Sequence, residues 1–343
     1  MTEFAAGGVT KGSPPATASP VALKSLSQET LVFATTVVIF ALCAVFISGF
    51  FTLSNISTLA RSVAVLGILG VGMTVAMIGR GLDLSQIAVT AISAAWTLKL
   101  IGAGYGLAGG LALGAAFSLA VGLSNGFVIS IVGIPALFTT LASGTFVYGV
   151  GRWLMLDGII TYVPPGQNFL IWLGQGDVFG VPVPLVIFAA LALIGHVLLS
   201  RTTLGRFVYA FGDNADAARL TGVSIRVLTM YQYAFSALVA FLAGLVTAGT
   251  TASINTLIFN SSLIFDVLLV VVLGGVSLSG GRGSILSVLA GTALIGTLLN
   301  AMILLDMQGD VQNIVKSVVL LGAIALDRKL HPRDEETARQ GDL

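Results

Sequence analysis

Charge is scarce in this sequence. Asp, Glu, Lys and Arg make up 9% of its 343 residues, where a soluble domain carries about 25%. So few charges cannot cover a surface facing water, and a mean hydropathy of +1.01 agrees. Cysteine occurs once, as Cys43 in an apolar run. That excludes an internal disulfide and leaves a small packing residue. The 2 histidines, His196 and His331, lie far apart, and no cluster of His, Cys, Asp and Glu has metal-ligand spacing, so no metal is expected. No nucleophile–base grouping is visible. A GxxxxGK[ST] phosphate loop and a long hydrophilic block are also missing, which excludes ordinary nucleotide hydrolysis on this chain. With a net charge of +1 and no basic stripe, nothing points to nucleic acid.

What the chain has instead is apolar residues, 56% of the total, and 42 glycines. Small residues let membrane helices approach closely, so the expected fold is all-α, a polytopic bundle embedded in the lipid bilayer. A span needs roughly 20 apolar residues. About ten transmembrane helices are expected, at Thr30–Phe50, Ser62–Ile78, Ser85–Leu98, Tyr105–Leu123, Phe127–Val150, Pro184–Leu199, Leu228–Thr247, Leu263–Leu273, Ile285–Leu304 and Val311–Leu326. Breaks are expected around Gly81–Ser85 and Gly274–Gly283, and Pro135 is expected to kink the fifth helix or split a short re-entrant piece from it. Gly158–Pro184, which contains Trp172, reads as an external loop at the interface. Residues 1–29, rich in Ser, Pro, Thr and Ala, read as a disordered tail. Residues 30–327 form the membrane domain, with a first span that is retained as an anchor, and 328–343 are a charged tail.

The positive-inside rule sets the orientation. With both termini cytoplasmic, only Arg61, Lys99, Arg152 and Lys316 of the 16 lysines and arginines lie at the outer side.

One polar island interrupts the apolar chain. Arg201 to Arg226 reads RTTLGRFVYAFGDNADAARLTGVSIR. A short helix is expected inside it, over Asn214–Leu220. Asp213 or Asn214 caps its start, Asp216 and Arg219 suit the two ends of its dipole, and Gly222 stops it. Ala215, Ala217 and Ala218 give it a small surface, as a helix that docks into a groove would have; an ordinary solvated loop is the plain alternative. Asp83, in Arg80-Gly81-Leu82-Asp83-Leu84-Ser85, either caps the following helix together with Ser85 or marks a transport pathway, since a carboxylate at membrane depth is costly. Gly274, Gly275, Gly280, Gly281 and Gly283 surround Ser277, Ser279 and Arg282, as either a gate beside the pathway or a turn. Asn125, Thr139, Thr140, Asn300 and Asn313 bridge helices or line a polar path. The Asn55-Ile56-Ser57 sequon is read as chance.

Three stretches carry a resemblance. FGDNADAARLTGVS is similar to the cytoplasmic coupling segment of ABC sugar-importer permeases of the ribose/xylose/autoinducer-2 branch, within the branched-chain-amino-acid-like permease superfamily. GRGLDLSQ at Gly79–Gln86 and VLGGVSLSGGRGS at Val272–Ser284 resemble the same family in the same order. The resemblance implies a bacterial inner-membrane permease subunit that moves a monosaccharide or polyol by alternating access. It implies cytoplasmic ABC ATPase subunits that bind ATP-Mg, a periplasmic solute-binding protein, and a second permease copy or sister permease. This chain itself would hold no cofactor. Gly212, Asn214, Ala217, Ala218, Arg219 and Gly222 would couple to the ATPase. Asp83, Ser85, Asn125, Thr139, Gly275, Ser277, Gly281 and Asn300 would line or gate the pathway. The chain departs from the family at Leu82 and Leu137, where isoleucine and phenylalanine are usual, and at Ile264-Phe265-Asp266, where only the aspartate of an acidic-Leu-Asp pattern remains. An ion-coupled secondary transporter using Asp83 or Asp266 is the alternative, and an integral membrane enzyme a weaker one.

Overall fold

A computed structural model describes residues 28–220 and 222–330. The two tails expected at residues 1–29 and 328–343 therefore lie mostly outside the described residues. Among these residues thirteen α-helices follow one another. They are α1 (Gln28–Phe46), α2 (Leu53–Ile78), α3 (Gln86–Leu100), α4 (Gly106–Phe127), α5 (Ala136–Val150), α6 (Asn168–Gln175), α7 (Val183–Arg201), α8 (Thr203–Asp213), α9 (Ala215–Leu220), α10 (Ile225–Thr251), α11 (Leu263–Gly274), α12 (Ile285–Leu304) and α13 (Gly309–Leu330). Short strands β1 (Ile160–Tyr162), β2 (Asp177–Val178), β3 (Val181–Pro182) and β4 (Ser253–Asn255) pair antiparallel, β1 with β4 and β2 with β3. A helix stands at each of the ten expected places. By length and composition alone, five runs among the described residues suffice to cross a membrane, and the 47-residue run from Gln86 to Val132 is one of them. It folds into two limbs, because Gly104 takes φ +95° between α3 and α4.

Helices α2, α3 and α10 form the centre. Every residue of α2 from Leu66 to Ile78 is buried, the mark of a helix that is apolar all round and surrounded by other helices. Contact with α10 is close because α4 presents glycines at i and i+4. A Cβ on Gly122 would sit 2.5 Å from the Tyr233 carbonyl oxygen, and one on Gly126 would sit 2.5 Å from Met230 Cα. Without hydrophobic drive between helices in lipid, such backbone approach supplies the packing.

Two expected boundaries are corrected. The fifth helix does not begin at Phe127. α4 runs on through Phe127, Gly133 turns the chain at φ +85°, and α5 starts only after Pro135. Proline lacks an N–H, so it fits before a helix better than inside one, and the split expected at Pro135 is found. The second helix begins at Leu53 instead of Ser62, because Thr52 caps it by accepting the Asn55 N–H. The loop expected to be external contains α6, whose Trp172 stacks on Phe169.

Basic residues sort by end. Arg61 reaches Gly174 O (2.7 Å) and Asp177 (3.1 Å), and Lys99 reaches Asp157 (2.8 Å), all at the end that carries α6 and the strands. The island α8–α9 packs at the other end of α2, where the second break also arrives.

Candidate functional site

Both chain breaks adjoin short helices. α3 has 15 residues and α11 has 12, about 22 and 18 Å at 1.5 Å per residue, against a hydrocarbon thickness of roughly 30 Å. After α2 ends, residues 81–85 turn back into the bundle, and α3 starts beside α2. There Gln86 Nε2 donates to Leu69 O (3.0 Å) and to Ser236 Oγ (3.3 Å).

Asp83 lies in this re-entering stretch, 1% exposed. Its Oδ1 accepts the Ser85 N–H (3.1 Å) and the Ser85 hydroxyl (2.5 Å), and its Oδ2 accepts the Ser236 hydroxyl of α10 (2.6 Å). Among the described residues no ion pair includes Asp83. Three donors replace the water that the carboxylate lost on burial. Part of this is a tight turn onto Ser85 just before α3, and part is a bridge to a helix 153 residues away in sequence. Asn125 of α4 donates to Ser85 Oγ (2.9 Å), and Thr140 of α5 donates to Leu82 O (3.0 Å). The break thus gathers α4, α5 and α10 around it. Thr140, more than Thr139, makes the contact; Thr139 Oγ1 donates locally to Ile134 O (3.3 Å). Two amide atoms near the break, Gln86 Oε1 and Gln232 Nε2, are buried without a partner.

The second break starts where α11 stops at Gly275, which takes φ +110°, a conformation glycine adopts without strain. Ser277 closes the loop on itself. Its hydroxyl meets that of Ser279 at 2.8 Å, and its N–H donates to Arg282 O (3.2 Å). Asn300 stands apart from both breaks. It exchanges two 2.9 Å hydrogen bonds with Asn55, joining α12 to α2, and the sequon asparagine is engaged in that pair.

The polar island holds two helices where one was expected. Thr202 caps α8 by accepting the Gly205 N–H, and Asn214 Oδ1 caps α9 by accepting the N–H groups of Asp216 (3.0 Å) and Ala217 (2.9 Å). Asp216 and Arg219 pair with each other at 2.9 Å, and Gly222 turns the chain at φ +81°. Ala218 is buried, whereas Ala217, Arg219 and Leu220 are exposed, Leu220 at 90%. A contact made by α9 would therefore run through Ala217, Arg219 and Leu220, with Ala218 seating the helix on its own chain.

The end of α8 touches both breaks. A Cβ on Gly212 would lie 1.9 Å from Ile78 O and 2.4 Å from Gly281 N, so only glycine fits. Gly281 N donates to Ile78 O (2.8 Å), joining the two breaks directly, and Tyr209 of α8 donates to Gly283 O (2.7 Å).

Sequence comparison adds the family. Residues 55–324 match the family described as branched-chain amino acid transport system / permease component. This chain belongs to that family. The permease shares 36% identity over 293 residues with the L-arabinose transport system permease protein AraH of Escherichia coli, covering 85% of this chain and 88% of that one. It shares 36% with the ribose import permease protein RbsC of Bacillus subtilis (80% and 85%) and 32% with the galactofuranose transporter permease protein YtfT of Escherichia coli (78% and 77%). No solved structure matches it. The permease is a multi-pass membrane transport component and not an enzyme. The other carboxylate singled out in the sequence, Asp266, pairs with Lys316 of α13 at 2.9 Å.

Sequence reasoning passed over several residues. The α8 helix is legible in Leu204, Phe207, Val208 and Phe211, spaced i, i+3, i+4 and i+7. Ser236 and Tyr233 carry no local signal, because their partners lie far away in the chain.

Proposed function

We propose that this permease is the membrane subunit of a bacterial ATP-driven importer for a monosaccharide or related polyol. It sits in the inner membrane with both termini cytoplasmic. It works with two ABC ATPase subunits that bind ATP-Mg, a periplasmic solute-binding protein, and a second permease copy or a sister permease. The relatives' substrates, L-arabinose, ribose and galactofuranose, are all monosaccharides, which supports the substrate class. The observation that carries the reading is the placement of α8–α9. One side of the segment offers an exposed short helix, and the other packs on both chain breaks through Gly212. ATP binding draws the ATPases together, α9 follows, and the breaks re-face the pathway. The physical requirement is that ATP binds the two permease states with different affinity.

The test is co-purification with the ATPase subunits in mild detergent. Leu220→Glu changes an exposed position, so the chain should insert and fold normally while the ATPase is lost from it. An ATPase that stays bound equally to both forms would overturn α9 as the docking site. Absence of any ATPase on the wild type would overturn the importer reading.

A further inference from the structure

The C-terminus of α2 contains an unusual choice of residue. Arg80 N donates to Met77 O (3.0 Å) and Gly81 N donates to Ala76 O (2.9 Å). These two bonds form a Schellman cap, whose left-handed position is normally glycine. Here that position is Arg80, at φ +63°, although glycines stand on either side of it. An arginine there adds backbone strain that glycine would avoid.

Its side chain supplies a reason. Arg80 Nε donates to Gly212 O (2.9 Å) and Nη2 donates to Asp213 O (3.1 Å). These are the last carbonyls of α8, which lack partners within the helix and carry the negative end of its dipole. The aliphatic stem passes over the second break on the way, where a Cβ on Gly280 would lie 2.6 Å from Arg80 Cγ. The backbone of Arg80 ends α2 at the first break, its stem lies on the glycine loop, and its head group holds α8. Only Gly81 and Leu82 separate it from Asp83.

We propose that Arg80 is the positioning residue that ties the α8–α9 segment to both chain breaks, so that a displacement of α9 moves the Asp83 stretch and the glycine loop together. This rests on the importer reading given above. Tyr209, through its bond to Gly283 O, is the second tie and holds the glycine loop alone.

The cap provides a clean variant. Arg80→Gly keeps both Schellman bonds and relieves the left-handed strain, yet it removes the grip on α8. The experiment is hydrogen–deuterium exchange on the assembled permease–ATPase complex, with and without ATP and orthovanadate. In the wild type, ATP should change exchange in residues 203–220 and in both breaks, 79–85 and 275–284. In Arg80→Gly the ATPase should still bind and 203–220 should still respond, while the response of 79–85 falls at least fivefold. Arg80→Lys, which keeps a donor, should restore part of it. Tyr209→Phe should weaken the response of 275–284 alone, and it tests the second tie even where the Arg80 variants fold poorly. An undiminished response of 79–85 in Arg80→Gly, or breaks that ignore ATP in the wild type, would overturn the proposal. Both results leave ATPase binding intact, which separates them from failure of the importer reading.

Discussion

Asp83 shows how a single carboxylate is made tolerable inside an apolar bundle. Its three donors come from two serines, Ser85 just before α3 and Ser236 of α10, and meet two oxygens at 2.5 to 3.1 Å. Hydrogen bonds to a charged group contribute about 1.5–3 kcal/mol each, and orphaning buried donors costs a similar amount. Asp83→Ala leaves two hydroxyls and an N–H facing a void, and should lower stability by roughly 3 kcal/mol. Asp83→Asn keeps the shape and one acceptor, and the Ser236 hydroxyl can rotate to accept from the new amide, so the loss should be about 1 kcal/mol. Thermal unfolding in detergent compares the two. Equal losses would mean that the charge itself, and not the arrangement of acceptors, holds the break together.

At the scale of elements, the apolar runs made ten helices legible, and the glycine clusters marked both breaks. What stayed hidden was whatever depends on partners distant in sequence. α8 was taken into a polar island because Arg206, Asp213 and the charges on either side outweighed its apolar stripe, and nothing near Gly212 announces that Ile78 and Gly281 fill the space of its missing side chain. For Asn300, read from sequence as a helix bridge or a pathway residue, the partner is Asn55, 245 residues away. The pair between α11 and α13 is of the same kind. Lys316 Nζ lies 2.9 and 3.2 Å from the two oxygens of Asp266 and 2.6 Å from Ser262 Oγ, with both charged side chains nearly buried. Removing one partner of a buried pair costs about 3–5 kcal/mol, whereas replacing both with apolar groups is often neutral. Lys316→Met should therefore destabilise the protein by roughly that amount, and adding Asp266→Leu should recover most of it. Unfolding midpoints of the two single variants and the double variant close the cycle. Additive losses would show that the two side chains are not coupled.

For the whole molecule, the decisive property is that its two ends differ. One end gathers Arg61, Lys99, α6 and the paired strands, and the other gathers Arg80, α8–α9 and the glycine loop. The extremes are the tip of the β2–β3 hairpin, where Phe179 is 103% exposed, and Leu220 of α9 at 90%. Alternating access needs such a polarity, since solute delivery and the ATP-driven motion act on opposite faces of the bilayer. The single native cysteine makes a direct test possible: in a Cys43→Ala background, Phe179→Cys and Leu220→Cys each place one thiol at one end. A membrane-impermeant maleimide added to spheroplasts should label Phe179→Cys and spare Leu220→Cys, and inverted vesicles should give the reverse. The excess of lysine and arginine at the α8–α9 end predicts this sign. Labelling of both positions from the same side would break the arrangement, because no helix bundle with α2 crossing between them could place both tips in one compartment.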